Sequence, residues 1–171
     1  MNIILIGMMG SGKTTIGKEL SNILENYKLI DIDEEIEKST QKKISNIFLQ
    51  HGEKFFRILE SEKIKKFCSQ DNQIISTGGG AFENETNRQI MLSSGIVVYL
   101  RTTPEEIFNR IKNEKTNTGN KRPLLKNFST ERISQLIHDR EKNYKKANFI
   151  IDTTGKTPYN IAQEITGVIN D

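Results

Sequence analysis

The sequence has 171 residues, 35% of them hydrophobic, which predicts one domain with a sizeable core. Its formal net charge of +3 comes from 25 basic and 22 acidic residues spread along the chain, and no block of like charge favours a nucleic-acid partner. The single cysteine, Cys68, excludes an internal disulfide, and the apolar runs are too short to span a membrane. We therefore expect a cytoplasmic monomer with no nucleic-acid or membrane partner.

The first element is an apolar run, Ile3 to Ile6, followed directly by a glycine-rich loop. Residues 7–14 match the pattern G-x-x-x-x-G-K-[ST] of a phosphate-binding loop, and an amphipathic helix follows, which disfavours a chance match. Such a loop directs backbone N–H groups at phosphates, its lysine reaches the β- and γ-phosphates, and its threonine ligates magnesium. We expect nucleotide contacts from Gly10, Ser11, Gly12, Lys13, Thr14 and Thr15.

Short β-type runs alternate with segments of helical spacing along the rest of the chain. The runs are Leu29–Ile30, Ile74–Ile75, Ile96–Leu100 and Phe149–Ile151. This alternation predicts an α/β fold, a three-layer α/β/α domain with a five-stranded parallel sheet, over residues 1–171. Residues 112–128 are polar and resist assignment, and we expect them to form a mobile lid.

Two carboxylates, Asp31 and Asp33, follow the second predicted strand. In an extended chain they would lie on the same side, with Ile32 facing the other way. One could hold magnesium or its water shell, and the other could accept a hydrogen bond from a substrate hydroxyl. The alternative is a cap for a helix that begins near Glu34.

Three further features have both a ligand-binding and a structural interpretation. Gly78–Gly80 follow the third strand, where glycines allow close approach to a ligand or simply a flexible turn. Arg57 and Glu60 continue the apolar stripe of a helix, either as part of a ligand site or as a surface ion pair. Arg140 interrupts another apolar stripe, either to bind a carboxylate or phosphate or to reach solvent.

Taken in order, these segments resemble the shikimate kinase family over almost the whole chain. The matching segments are residues 7–15, Asp31-Ile32-Asp33, Ile47-Phe48, Gly52-Glu53, Phe56-Arg57-Ile58-Leu59-Glu60, Thr77-Gly78-Gly79-Gly80-Ala81, Arg122-Pro123-Leu124-Leu125, and Arg140 with Tyr144 and Ala147. The resemblance implies P-loop kinase architecture and magnesium-dependent transfer of the γ-phosphoryl group of ATP to the 3-hydroxyl of shikimate, a step of aromatic amino acid biosynthesis. It also implies one Mg²⁺ per active site, with ATP and shikimate as the small-molecule partners.

The resemblance further implies a role for each matching residue. The catalytic residues would be Lys13, Asp33 and, on the lid, Arg122. Nucleotide binding would add Lys115, Arg122 and Lys156, the last in the loop at residues 153–157. Shikimate would contact Asp33, Arg57, Gly79, Gly80 and Arg140, with Phe56 and Glu60 lining or bracing the pocket, from the helical segment at about residues 33–62. Magnesium would be held by Thr14 and Asp31.

Two departures from the family pattern affect the nucleotide side. Lys115 stands where many relatives carry an arginine that stacks on adenine, and Ser76 and Thr77 stand where many phosphate-loop proteins carry an acid. Two alternatives remain: a gluconate or other small-molecule kinase of the same architecture, and a nucleotide-binding switch that has lost turnover.

Overall fold

The computed structural model describes residues 1–118 and 129–170, and the side chains of residues 1–113 and 129–169. In these ranges the strands are β1 (Asn2–Ile6), β2 (Lys28–Asp31), β3 (Gln73–Ser76), β4 (Gly95–Arg101) and β5 (Phe149–Asp152). The α-helices are α1 (Lys13–Ile23), α2 (Ile32–Thr40), α3 (Ile44–Cys68), α4 (Glu85–Ser94), α5 (Pro104–Thr118), α6 (Thr130–Tyr144) and α7 (Pro158–Asn170). A short 3-10 turn, Ala81–Glu83, precedes α4.

The strands of the described chain form one sheet in the order β2-β3-β1-β4-β5, and each pair is parallel. The predicted five-stranded parallel sheet is therefore confirmed. β1 lies at the centre, and all its residues are buried because helices cover both faces of the sheet. Parallel pairing brings the carboxyl ends of β1, β2 and β3 to the same edge, where open α/β sheets bind ligands.

Alternate residues of β1 point into two separate apolar layers, as the two-residue repeat of a strand requires. Ile3 and Leu5 pack with Ile16 and Leu20 of α1, in a layer that α7 completes. Ile4 lies in the opposite layer, which contains buried residues from α2, α3, α4, α5 and α6. The predicted α/β/α arrangement of three layers is confirmed.

The prediction that Asp31 and Asp33 lie on one side of an extended chain is wrong. β2 ends at Asp31, and α2 begins at the next residue, Ile32. Asp31 has an extended backbone, and its Oδ1 accepts hydrogen bonds from the N–H groups of Asp33, at 3.0 Å, and Glu34, at 3.3 Å. Asp31 therefore caps α2 through Oδ1, because a carboxylate satisfies otherwise free N–H groups in the first helical turn, while its Oδ2 faces Thr14.

Two helices differ from the sequence pattern in ways that bear on the site. α3 contains a non-helical residue, Gly52, with φ 78° and ψ 174°, so that its two segments meet at a kink. α5 extends to Thr118, so the first residues of the predicted lid are helical, and the rest of the lid lies outside the described residues. In the parts of the chain that the structure describes, no helix is both long and apolar enough to cross a membrane.

Candidate active site

The phosphate-binding loop connects β1 to α1 at the carboxyl edge of the sheet. Gly10 and Gly12 have φ values of 76° and 95°, which side chains disfavour and which this type of loop requires. The Lys13 ammonium group donates hydrogen bonds to the carbonyl oxygens of Gly7, at 2.9 Å, and Met8, at 2.7 Å. Lys13 is buried, and its charge is thereby held at the concave side of the loop beside the N-terminus of α1.

The remaining loop residues differ in exposure. Ser11 is buried, and its N–H donates to Met8 O at 3.1 Å, which tightens the loop, whereas Thr15 is exposed on the first turn of α1. The tip of the loop packs against α5, where Ile111 would contact any side chain at Gly10. The predicted loop therefore has a rigid backing that includes a helix distant in sequence.

Arg110 on α5 is a cation beside the phosphate loop that the sequence motif did not indicate. Its Nη1 donates to Gly10 O at 3.3 Å, and its Nη2 pairs with Glu106 one turn earlier. The available signal was the apolar periodicity around Arg110, with Ile107 and Ile111 buried, which indicates the inward face of α5 but not what that face contacts. Arg110 therefore adds positive charge near the phosphate loop. The sequence motif predicted such charge from Lys13.

Thr14, Asp31 and Ser76 form an oxygen-rich cluster where α1, β2 and β3 meet. The Thr14 hydroxyl donates to Asp31 Oδ2 at 2.6 Å and lies 3.2 Å from the Ser76 hydroxyl. Since Oδ1 of Asp31 caps α2, one carboxylate both starts a helix and orients the threonine of the phosphate loop. Thr77 is different, because its hydroxyl donates to Leu5 O inside the sheet.

The triple-glycine segment lies between the phosphate loop and the predicted acceptor residues. A Cβ atom at Gly79 would lie 3.2 Å from Met9 N, and one at Gly80 would lie 2.6 Å from Arg57 Nη2. A Cβ atom at Gly78 would meet the Glu60 carboxylate and lie 3.5 Å from Asp33 Oδ1. Close packing therefore leaves little room for side chains at these positions, most of all at Gly78, whose neighbour is the buried Glu60 carboxylate.

Arg57 and Glu60 form an ion pair that is only partly at the surface. Arg57 Nη1 donates to Glu60 Oε2 at 2.8 Å, and Arg57 Nη2 donates to Glu53 Oε1 at 3.0 Å. Glu60 is fully buried, and Arg57 is 31% exposed. Burial raises the pKa of the Glu60 carboxyl, while the Arg57 guanidinium opposes that rise. The buried Glu60 carboxylate therefore holds the partly exposed Arg57 guanidinium in a fixed position.

Phe56 closes the apolar side of this pair. Its ring is buried, lies 4.8 Å from the ring of Phe48 between centroids, and is 5.3 Å from the Arg57 guanidinium carbon. Phe56 therefore packs against both Phe48 and the Arg57 guanidinium, and its place in a substrate pocket stays a prediction.

Arg140 reaches the same region from α6. Its Nη1 donates to Gly79 O at 3.2 Å and contacts the sulfur of Met8 at 3.5 Å. The side chain is half-buried and points at the triple-glycine segment, so the alternative of an arginine that extends into solvent is wrong. Asp33, Arg57, Glu60 and Arg140 thus converge on one side of the glycines.

Three predicted nucleotide contacts lie apart from this cluster or outside the described residues. Arg122 and the side chain of Lys115 fall outside the described part. Lys156 lies in the loop after β5, and its ammonium group pairs with Glu164 of α7 at 2.6 Å.

A phosphate loop with a buried lysine, next to a pocket with two arginines and two carboxylates, defines a P-loop kinase that acts on a small acceptor. The comparisons with known proteins name the acceptor class. A family model described as "Shikimate kinase" matches residues 9–170, and the chain belongs to the shikimate kinase family.

Individual relatives agree with the family over nearly the whole chain. The shikimate kinase of Persephonella marina is 44% identical over 168 residues, which cover 98% of each chain. The solved structure of the shikimate kinase from Acinetobacter baumannii in complex with shikimate is 36% identical, has a TM-score of 0.90, and matches 99% of this chain and 92% of that one. The shikimate kinase from Aquifex aeolicus is 35% identical with a TM-score of 0.82, covering 99% and 96% of the two chains.

Proposed function

We propose that this chain transfers the γ-phosphoryl group of ATP to the 3-hydroxyl of shikimate, with the residue roles derived below. The observation that supports these roles most directly is the triple-glycine segment, which touches the phosphate loop at Gly79 and the Arg57 guanidinium at Gly80. Two substrates bound on either side of this segment would have their reacting groups adjacent, so that transfer needs little movement of either substrate.

Arg57 and Arg140 are assigned to the shikimate carboxylate. Guanidinium groups pair with a carboxylate through two parallel hydrogen bonds, and these two arginines approach the glycines from α3 and α6. Glu60 and Glu53 hold Arg57 in place from the side of α3. The pocket therefore selects an acceptor that carries an acid group.

Asp33 is assigned to the acceptor hydroxyl. Its carboxylate lies beside Gly78, the first residue of the triple-glycine segment, and close to Glu60. A carboxylate there accepts the hydrogen bond of the hydroxyl that attacks phosphorus, and orients it or removes its proton.

Lys13 and the loop N–H groups are assigned to the phosphates, together with Arg122 from the lid. Negative charge builds up on the transferring group, and fixed positive groups stabilise it without having to reorganise. Lid closure over both substrates would exclude the water that otherwise hydrolyses ATP.

Magnesium is assigned to Thr14 and Asp31, one ion per site. Hydroxyl and carboxylate oxygens are the ligands that Mg²⁺ prefers, and the cluster of Thr14, Asp31 and Ser76 supplies them beside the phosphate loop. The Thr14 proton is already held by Asp31, and the Ser76 hydroxyl at 3.2 Å donates to Thr14 Oγ1, which leaves one lone pair of Thr14 for a cation. When bound, the ion neutralises phosphate charge.

The experiment that tests the proposed function is a coupled assay of ADP release with magnesium and ATP, offered shikimate, gluconate or no acceptor. We expect turnover with shikimate alone. Turnover with gluconate alone would contradict the acceptor assignment, and ADP release independent of any acceptor would contradict kinase activity. Binding of ATP without turnover would support the alternative of a nucleotide-binding switch.

A further inference from the structure

Tyr144, at the end of α6, is a buried residue to which the reaction described above gives no role. Its side chain is fully buried, and its hydroxyl donates a hydrogen bond to the carbonyl oxygen of Gly79. The same carbonyl accepts a hydrogen bond from Arg140 Nη1 at 3.2 Å. Two donors from one helix therefore fix the direction of a single peptide group in the triple-glycine segment.

The direction of that peptide group determines where the next N–H points. The Gly79–Gly80 peptide bond is trans, and in a planar trans peptide the C=O and N–H groups point in opposite directions. Because the Gly79 carbonyl points at α6, the N–H of Gly80 points away from α6. Gly80 also packs directly against the Arg57 guanidinium. A Cβ atom added at Gly80 would lie 2.6 Å from Arg57 Nη2.

We propose that Tyr144 is a positioning residue for the acceptor: by holding the Gly79 carbonyl towards α6, it turns the Gly80 N–H to the opposite side, towards the Arg57 end of the carboxylate clamp. This inference rests on the carboxylate clamp of the proposed function. Glycines on both sides of the peptide plane make it easy to rotate, so an external anchor is needed to keep the donor in place. The turn bond from the Ala81 N–H to Gly78 O, at 3.1 Å, spans this peptide but leaves its plane able to flip, so the side-chain donors on α6 supply the further anchor.

The positioning role of Tyr144 depends on its hydroxyl, whereas its packing in the core depends on its ring. Its ring lies against the Tyr99 ring, with centroids 4.7 Å apart, and would fill the core in either case. Burial raises the pKa of Tyr144 although Arg140 opposes the rise, and burial raises the pKa of Tyr99 to about 12. Both phenols are therefore neutral at the pH of an ordinary assay, and Tyr144 remains a donor.

The test compares Tyr144→Phe with Tyr99→Phe. Each variant removes one hydroxyl from the same buried ring pair, but Tyr99 belongs to β4 and lies outside the acceptor site. For Tyr144→Phe we expect the Kd and KM of shikimate to rise about tenfold, the cost of one hydrogen bond that orients a donor, while the KM of ATP changes less than about twofold. For Tyr99→Phe we expect all three constants to stay within about twofold of the parent protein.

Thermal unfolding of both variants checks that the fold is intact. An unchanged shikimate Kd in Tyr144→Phe would overturn the proposal, as would equal losses of shikimate binding in the two variants. An equal rise in the KM values of ATP and shikimate would also overturn it. Such a result is expected of a general packing defect, whereas a positioning role for Tyr144 affects shikimate alone.

A second acceptor locates the effect on the carboxylate. We expect Tyr144→Phe to lower kcat/KM for shikimate but to change that for its methyl ester less than about twofold, because the ester lacks the anion that the Gly80 N–H binds. Equal losses with acid and ester would contradict the assigned direction of that N–H. If Arg57→Ala bound shikimate normally, the clamp itself would be wrong, whereas an impaired Arg57→Ala with a normal Tyr144→Phe would overturn only the positioning role.

Discussion

The two sides of the active site are built in different ways. The nucleotide side consists mainly of one continuous segment, residues 7–15, whose glycine conformations and backbone groups form the phosphate loop. The proposed acceptor side is assembled from four separate places: Asp33 on α2, Arg57 and Glu60 on α3, the triple glycine after β3, and Arg140 on α6. Its polar groups are mostly side chains.

This difference teaches how specificity is divided between the two sides. Backbone N–H groups at a helix N-terminus bind phosphates whatever molecule carries them. Side chains with a fixed fork or charge distinguish one acceptor from another. Single substitutions should therefore remove acceptor recognition cleanly, while on the nucleotide side few side chains other than Lys13 should have a large effect.

Lys13→Ala is expected to have the largest effect. Removing the ammonium group that stabilises the transferring phosphoryl should lower kcat by about 10³-fold, while the Kd of shikimate stays within about twofold. Initial rates of ADP release measure kcat, and calorimetric titration measures the Kd of shikimate. Lys18→Ala, at an exposed position of α1, is the matched control and should behave as the parent protein. A comparable loss of shikimate binding in Lys13→Ala would remove the distinction between the two sides.

Arg57→Ala should produce the opposite pattern, with a rise in shikimate KM of about 10²-fold and little change in ATP binding. The change removes one of two cations from the carboxylate and leaves the buried Glu60 without its ion-pair partner. Initial rates at varied shikimate and varied ATP separate the two affinities. Arg132→Ala, at an exposed position of α6, controls for loss of positive charge. An equal rise in the KM values of ATP and shikimate would show that the nucleotide and acceptor sides do not act independently.

The same contrast explains what could be predicted from the sequence. The phosphate loop, the strands and the apolar stripes are local patterns, and the structure confirms the parallel sheet and the strand-loop-helix order. The predicted relation of Asp31 to Asp33 is wrong because the strand ends at Asp31 and Ile32 already belongs to α2, so that strand alternation does not apply to these residues. No local pattern reports that Arg110 would turn towards Gly10, since that contact spans 100 positions.

For the acceptor side, the sequence supplied the residues but not their arrangement. Arg57, Glu60 and Arg140 were each ambiguous between a site and a surface role, because hydrophobic periodicity identifies the inward face without identifying what that face meets. The packing of Gly80 against Arg57 and of Gly79 against Arg140 resolves the ambiguity, and it depends on tertiary contacts between α3, α6 and the end of β3.

Asp31→Asn should have an intermediate effect that separates capping from magnesium binding. Asparagine caps helices about as well as aspartate, so the melting temperature should change little. Its amide would present a donor to Thr14 where the carboxylate now accepts at 2.6 Å, and would misdirect that hydroxyl. We expect the magnesium concentration for half-maximal activity to rise about tenfold, with shikimate binding in the absence of magnesium unchanged. A lower melting temperature without a change in the magnesium requirement would mean that Asp31 acts only as a helix cap.

Gly52→Ala should have the smallest effect and tests whether backbone conformation also matters on the acceptor side. Gly52 has φ 78° and ψ 174°, a region that is essentially restricted to glycine, and no atom lies within 4 Å of the position of a Cβ atom. The cost is therefore conformational strain alone, about 1–3 kcal/mol of unfolding free energy, measured by denaturant titration.

Gly167→Ala is the matched control for Gly52→Ala. The position of its Cβ atom is also unobstructed, but Gly167 lies within α7 and its φ is not positive. Alanine there should stabilise the protein by about 0.5–1 kcal/mol, so the same chemical change is expected to have opposite signs at the two glycines. If both variants were stabilised, the kink in α3 would be a conformation that the segment can leave without cost. In that case Arg57 and Glu60, which follow the kink, would not depend on it for their position, and the acceptor side would be held by side-chain contacts alone.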